Sequence, residues 1–261
     1  MAFTVHAVMP GVWHIVDCMG VCMTLLEGEN AAMLVDTGYG IEDVADFMRH
    51  MTDLPLTVFL THNHHDHAMG ARCFPETYML EADMADWRMF TDDKMRRRVL
   101  TQAIGKNLPV DEKTFLAGEI PLPKVMKPGV IDLGGLTAEI IEAPGHTPGS
   151  AVVYVPERKL RLSGDDWNPC TWLFFPQALG LREYRSNMRG IQQLPFEKVL
   201  CPHREALYDR WMFDDFFNAL TDGNLRAAEP VNIAPYEQID TCQATLPHDQ
   251  VLVFDWAKSG L

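Results

Sequence analysis

Four of the ten histidines in this 261-residue chain fall within six positions, in the segment Thr61-His62-Asn63-His64-His65-Asp66-His67. The segment follows an apolar run at 56–60 and precedes the small residues Ala68, Gly70 and Ala71, so it reads as a strand-end loop that enters a helix. In the pattern His-x-His-x-Asp-His, alternate side chains of an extended stretch, His62 and His64, reach one ion, and the next two donors, Asp66 and His67, reach a second. His65 is the spacer that points away. Imidazole nitrogen with carboxylate oxygen suits zinc or iron(II), whereas calcium and magnesium call for mostly oxygen donors. The bland alternative is a histidine-rich surface loop that binds metal loosely, and motifs elsewhere in the chain weigh against it.

The elements that must position this loop are short. Runs at 12–16, 22–26, 31–35 and 56–60 read as strands, and between the last two, Ile41, Val44, Ala45, Phe47 and Met48 recur at helical spacing after Gly38 and Gly40. Beyond the cluster, 77–80 reads as a short strand. Residues 81–100 read as a helical stretch with Met84, Trp87, Met95 and Val99 on its apolar side and Lys94, Arg96, Arg97 and Arg98 on a solvated one. The Pro-, Gly- and Lys-rich 109–128 is a long connection, after which strands resume at 136–141, 151–155, 160–162 and 198–200 and helices at 182–194 and 208–225. There is no internal repeat. Strands and helices alternate to the end, which predicts one α/β or α+β domain over 1–261 with a helical insertion around 81–128.

Composition limits the partners. Twenty-two basic against 36 acidic residues give a net charge of −14, which repels a phosphate backbone and argues against nucleic acid. No apolar run approaches the roughly 18 residues of a membrane span, and the first residues lack a basic region followed by an apolar stretch. No membrane partner and a cytoplasmic location are therefore expected. The six cysteines include no Cys-x-x-Cys pair, so reduced thiols are the default.

From about Val12 to His203 the chain resembles the metallo-beta-lactamase superfamily. Beside the histidine loop stands Leu34-Val35-Asp36-Thr37-Gly38, similar to the family's first motif, in which the Asp supports the metal loop from behind. Ala143-Pro144-Gly145-His146-Thr147-Pro148-Gly149-Ser150 resembles its Gly-His-Thr motif, Leu162-Ser163-Gly164-Asp165 its strand-end Gly-Asp, and Cys201-Pro202-His203 falls where the last histidine belongs. The resemblance implies one ion on His62, His64 and His146, another on Asp66, His67 and His203, and Asp165 shared between them. It also implies an αββα four-layer sandwich with the metals at the sheet ends. Local alternatives stay open: Asp36 as a turn cap, Asp166 in place of Asp165, and His248 in place of His203, whose Pro-His-Arg setting departs from Gly-His-Gly.

Such a site is a metallo-hydrolase. Two Zn2+ ions, with Fe2+ or Mn2+ as alternatives, would hold a bridging hydroxide that attacks an ester, thioester, lactone or similar bond of a small molecule, with Asp66 as the catalytic carboxylate. The missing leader and the Gly-Asp at Asp165 lead away from the secreted lactamases. Two other readings remain: a single-iron enzyme resembling the persulfide dioxygenases, and a metal-binding protein without catalysis. Asn168 stands where a lactone-hydrolysing relative would carry a tyrosine, and no Lys/Arg cluster suited to a glutathione carboxylate is found near the C-terminus; Arg182, Arg185 and Arg204 are the candidate anion anchors. For the substrate pocket the candidates are Trp167, Trp172 and Phe174 after the Gly-Asp, with Trp87, Met89 and Phe90 as an opposing lid. These aromatics would serve equally as core or as a subunit interface, which leaves a homo-oligomer open.

Overall fold

The computed structural model describes residues 3–261, and its first seven strands are β1 (Thr4–Met9), β2 (Val12–Val16), β3 (Cys22–Glu27), β4 (Ala32–Val35), β5 (Leu56–Phe59), β6 (Tyr78–Met79) and β7 (Lys124–Val125). They form one sheet in that order, antiparallel from β1 to β4 and parallel from β4 to β7. A second sheet begins with β8 (Gly129–Asp132), β9 (Thr137–Glu142), β10 (Ala151–Val155) and β11 (Leu160–Leu162). The chain leaves it for β12 (Cys170–Leu173) and returns for β13 (Lys198–Leu200) and β14 (Tyr208–Asp209), giving the order β14-β13-β11-β10-β9-β8. The last strands, β15 (Glu229–Pro230), β16 (Thr241–Leu246) and β17 (Gln250–Asp255), join β12 in a third sheet of order β12-β17-β16-β15.

The layering follows from strands that are apolar on both faces, which only a position between two layers can bury. Along β10, Ala151, Val153 and Val155 point into the core between the two large sheets, where they meet Met33 and Val35 of β4. The intervening Val152 and Tyr154 point the other way, onto α6 (Leu181–Gln192) and α7 (Arg210–Asn218). Likewise Ala32 and Leu34 of β4 face α1 (Val44–Met51), whose Val44, Ala45 and Met48 cover the outer side of the first sheet. The period of two thus assigns every residue of these strands to one layer or the next. The result is helix, sheet, sheet, helix: the αββα sandwich. Among the described residues no helix is long and apolar enough to cross a membrane.

Three features depart from the expected elements. The third sheet was not foreseen: β16 and β17 form a hairpin in a region with no predicted strand, although Cys242, Ala244 and Leu246 alternate inward along it. The helical stretch at 81–100 is broken into a single turn at Glu81–Asp83, α3 (Trp87–Thr91) and α4 (Asp93–Gly105), because Asp92 is extended and its side chain accepts from the Met95 N–H, capping a new helix. The stretch at 208–225 is broken in the same way, where Thr221 caps a separate turn at Asp222–Arg226.

The basic face of α4 is a further correction. Arg96 is not solvated but 1% exposed, and its guanidinium donates to the carbonyls of Phe115, Ala117 (3.2 Å) and Gly118 (2.6 Å) in the connection beyond α4. It fixes that connection to the helix. Replacing Arg96 with Met keeps the apolar stem but strands the buried Phe115 carbonyl, at about 1–3 kcal/mol, and releases the more exposed carbonyls of Ala117 and Gly118. Arg96→Met is therefore expected to lower the unfolding midpoint and open residues 106–120 to proteolysis, while Arg97→Met, at an exposed position, does neither.

Candidate metal centre

Asp36 follows β4 with φ at 64°, a left-handed conformation that Asp tolerates better than most residues. That turn aims its carboxylate across to the end of β5, where Oδ1 accepts the Thr61 N–H (2.7 Å) and Oδ2 accepts the Thr61 hydroxyl (2.9 Å). Oδ2 also accepts from Nδ1 of His67 (3.0 Å), so the ring proton is fixed there and Nε2 is left as an electron-pair donor. From the next residue, the Thr37 hydroxyl donates to the His67 carbonyl (2.8 Å). The helical turn after His67 packs so closely on this loop that a Cβ at Gly70 would lie 2.2 Å from the Thr37 oxygen, which only glycine avoids.

The other donors come from the second sheet. His146 lies in the loop between β9 and β10, and its Nδ1–H donates to the Trp172 carbonyl (2.6 Å), leaving Nε2 free to face His64 Nδ1 at 2.8 Å. Nε2 of His64 meets the Gln177 amide at 2.6 Å, while the Gln177 Oε1 has no partner; with the amide turned over, Oε1 accepts from Nε2–H and His64 Nδ1 becomes a donor to an ion. After β11, Gly164 adopts φ 49° and turns Asp165 inward, 3.6 Å from His67 Nε2, 3.4 Å from His146 Nε2 and 3.1 Å from His203 Nε2. Asp66 Oδ2 is 3.7 Å from both His67 Nε2 and His203 Nε2.

Three donor groups result, His62/His64/His146, His62/His67/Asp165 and Asp66/His67/His203, and within each the ligating atoms lie no more than 4.8 Å apart. These residues fit metal ions on their own evidence: Nε2 of His62 and of His67 are buried with no hydrogen-bond partner, which a closed polar network does not leave behind. Charge agrees with geometry. Burial, reinforced by the neighbouring rings, pushes His62 and His64 well below the ordinary histidine range and His146 below it, so these three are neutral imidazoles ready to ligate. For His67 and His203 burial acts in the same direction but is outweighed by Asp165 and Asp66, and their protons are held more tightly. Correspondingly, the carboxyls of Asp165 and Asp66 are held down by the facing histidines against the opposing pull of burial.

Above the donors opens a cavity of about 480 Å³ whose apolar wall includes Phe90, Trp172, Phe175 and Tyr236, with Tyr39 and Asn168 offering polar atoms. Of the five aromatic candidates, Trp172 and the lid residue Phe90 line it. Trp87 is 1% exposed and packs inside the insertion with Met79 and Val99. Trp167 is fully buried, edge-on to Tyr208 and Phe213, and its indole N–H donates to Gln250. Phe174 belongs to the core shared with α6 and α7. The alternation of the chain through β12 sends Trp172 outward and its neighbours inward. Asp166 points away from the site, at 3.8 Å from buried Arg161, and His248 pairs with Asp215 (2.8 Å) on the surface. Arg185 is bound to Asp222 (2.6 Å), Arg182 does not line the cavity, and Arg204 does.

Asp83, in the single turn that opens the insertion, had no signal in the sequence. Its buried carboxylate accepts from the Asn63 N–H (3.2 Å), the Thr147 hydroxyl (2.7 Å) and the Gly149 N–H (2.6 Å), and its own carbonyl accepts from the Asn63 amide (3.0 Å). Burial raises this carboxyl to about 6 in spite of those donors. One side chain thus joins the loop of His62 and His64 to the loop of His146. Tyr39, Arg98 and Tyr236 were likewise unforeseen cavity residues, since they come from three separate segments.

The family model for the metallo-beta-lactamase superfamily matches residues 16–203. The chain is 25% identical to the chicken (Gallus gallus) acyl-coenzyme A thioesterase MBLAC2 over 202 residues, 69% of this chain and 70% of that one. Among solved structures it is similar to a metallo-beta-lactamase from Pontibacter korlensis (TM-score 0.60, 18% identity, 85% of this chain and 100% of that one). It is also similar to the sec-alkylsulfatase Pisa1 from a Pseudomonas species (TM-score 0.64, 15% identity), covering 86% of this chain and 43% of the sulfatase.

Two outcomes follow from the supporting residues. Asp36→Ala frees the His67 ring and is expected to weaken zinc or cobalt binding by about 10- to 100-fold in a chelator competition, with near-native circular dichroism. Asp83→Ala strands three buried donors and is expected to lower stability in urea titration by at least about 1–3 kcal/mol.

Proposed function

Because the chain belongs to the metallo-beta-lactamase superfamily, we propose that it is a dinuclear metal-dependent hydrolase that opens an ester, thioester, lactone or similar bond of a small molecule. The observation that carries this reading is the set of seven donors with unpartnered, buried imidazole nitrogens at the floor of an open cavity. A purely structural metal site closes its coordination shell and has no use for a chamber above it. In this reading His62, His64 and His146 hold one ion, Asp66, His67 and His203 the other, and Asp165 lies between them. Zinc suits the donor set, with iron(II) or manganese as alternatives. Bound there, the ions supply a water ionised near neutral pH and a Lewis acid for the substrate oxygen.

The chain's own residues do the rest. Asp66 accepts the nucleophile's proton on a carboxylate oxygen and returns it to the leaving group. Asp36 and Gln177 keep the rings of His67 and His64 in the required tautomers. Phe90, Trp172 and Phe175 wall the reaction from bulk water, and residues 81–128, which carry Phe90, act as a helical lid on a single domain. The relative named as an acyl-coenzyme A thioesterase supports placing thioesters among the bonds attacked.

Protein purified without added metal is expected to contain two divalent ions per chain and to hydrolyse members of a panel of thioesters, esters and lactones. Chelation should abolish turnover and zinc restore it. His64→Ala should lose more than about 100-fold, beyond what disturbing a supporting residue does. One iron per chain with oxygen uptake on a persulfide, or no turnover of the panel by zinc- or manganese-loaded protein, would overturn the proposal.

A further inference from the structure

Apart from the donors Asp66 and Asp165, the carboxylates and cations lining the cavity reduce to two arginines, Arg98 and Arg204. The chain carries 36 acidic and only 22 basic residues, so a lining without one free carboxylate is against its composition. The two arginines differ in what they are free to do. Arg204 donates to the carbonyl of its neighbour His203 (2.8 Å). Arg98, on α4, has no acidic partner among the described residues, whereas Arg96 on the same helix pairs with Asp93 at 3.2 Å and with backbone carbonyls. Arg98 shares the lining of the cavity with Tyr236.

Arg98 also stands at a boundary. A second chamber of about 380 Å³ adjoins the first, and the two share Phe90, Arg98, Phe175 and Tyr236. Beyond that partition the outer chamber continues with Met89, Met95 and Pro176 and, among them, the polar Asp92, Lys94 and Gln177. An unpaired guanidinium on the partition that it shares with three aromatic rings, between the donor cluster and the outer chamber, is suited to an oxyanion carried on an otherwise apolar molecule. Arg98 is itself exposed, and its fork of donors matches carboxylate, sulfate and phosphate oxygens. The remaining surface, at −14 overall, repels such molecules.

We propose that Arg98 is a substrate-binding residue and that the substrate is an amphiphilic anion: its scissile bond at the metal centre, an apolar arm against Phe90, Phe175 and Tyr236, and an oxyanion on the Arg98 guanidinium. This rests on the hydrolase reading for the scissile bond, but the anchor itself does not depend on turnover.

Three thioesters test it: the octanoyl thioester of N-acetylcysteamine, which is neutral; the octanoyl thioester of 3-mercaptopropionate, anionic on the thiol side; and the adipoyl monothioester of N-acetylcysteamine, anionic on the acyl side. Wild type should prefer one anionic thioester, which also assigns the side that carries the charge. Arg98→Met should lower the anionic-to-neutral ratio of kcat/KM by about 10- to 100-fold, and Arg98→Lys should restore part of it. A second measurement is calorimetric binding of hexane-1-sulfonate and of 1-hexanol to the metal-containing protein. Sulfonate should bind more tightly than the alcohol in wild type, and Arg98→Met should erase the difference. If no thioester is cleaved but the sulfonate preference depends on Arg98, the anchor stands and the hydrolase reading fails. If wild type does not discriminate sulfonate from alcohol, or Arg98→Met leaves both ratios unchanged, the proposal is overturned.

Discussion

The Asp36 carboxylate is the contact on which the site depends. It accepts from the backbone and hydroxyl of Thr61 and from the ring of His67, and so joins the exit of β4 to the exit of β5 and to the helix that follows. A carboxylate buried to 3% exposure would be costly without those donors, and the donors would be misdirected without it. Because the left-handed backbone at Asp36 is what turns the carboxylate sideways, a strained residue and an oriented ligand are parts of one device. Asp83 repeats the logic between sheets, taking three donors from the two loops that carry His62, His64 and His146.

Two further carboxylates, Asp66 and Asp165, set the charge of this buried cluster of imidazoles. Desolvation alone would discharge every ring in it, and it does so for His62, His64 and His146. Asp66 and Asp165 reverse the outcome locally for His67 and His203. The site therefore holds compensating charges in place before any ion arrives, and binding exchanges protons for a metal instead of creating a charge in a low-dielectric interior.

Much of this was legible in the sequence because metal ligands obey strict local spacing. His62, His64, Asp66 and His67 occupy one loop, and His146, Asp165 and His203 each sit in a recognisable strand-end motif, so the structure had only to bring the segments together. The sandwich followed from the family resemblance; the strands and helices by themselves predicted only one α/β or α+β domain, although a run such as Ala151–Val155, apolar throughout, can lie only between layers. What was not legible depends on direction in space. Trp172 and Phe174 are two positions apart, yet one faces the cavity and the other the core. Arg96 and Arg98 share a helix, yet one is spent on backbone carbonyls and the other meets the cavity. The third sheet was missed because its hairpin is completed by β12, whose partner strand lies some eighty residues away in sequence.

Every donor group mixes residues from both large sheets: His62 and His64 with His146, His67 with Asp165, and Asp66 with His203. The contact between His64 and His146 alone closes a separation of 82 residues. An ion held by any of these groups is accordingly a cross-link between the two halves of the sandwich, placed where they would part first if the sheets slid or opened. An ion bound only by the folded form draws the equilibrium toward it by mass action. Metal supply would then set the lifetime of the folded molecule under heat or proteolysis, not its chemistry alone.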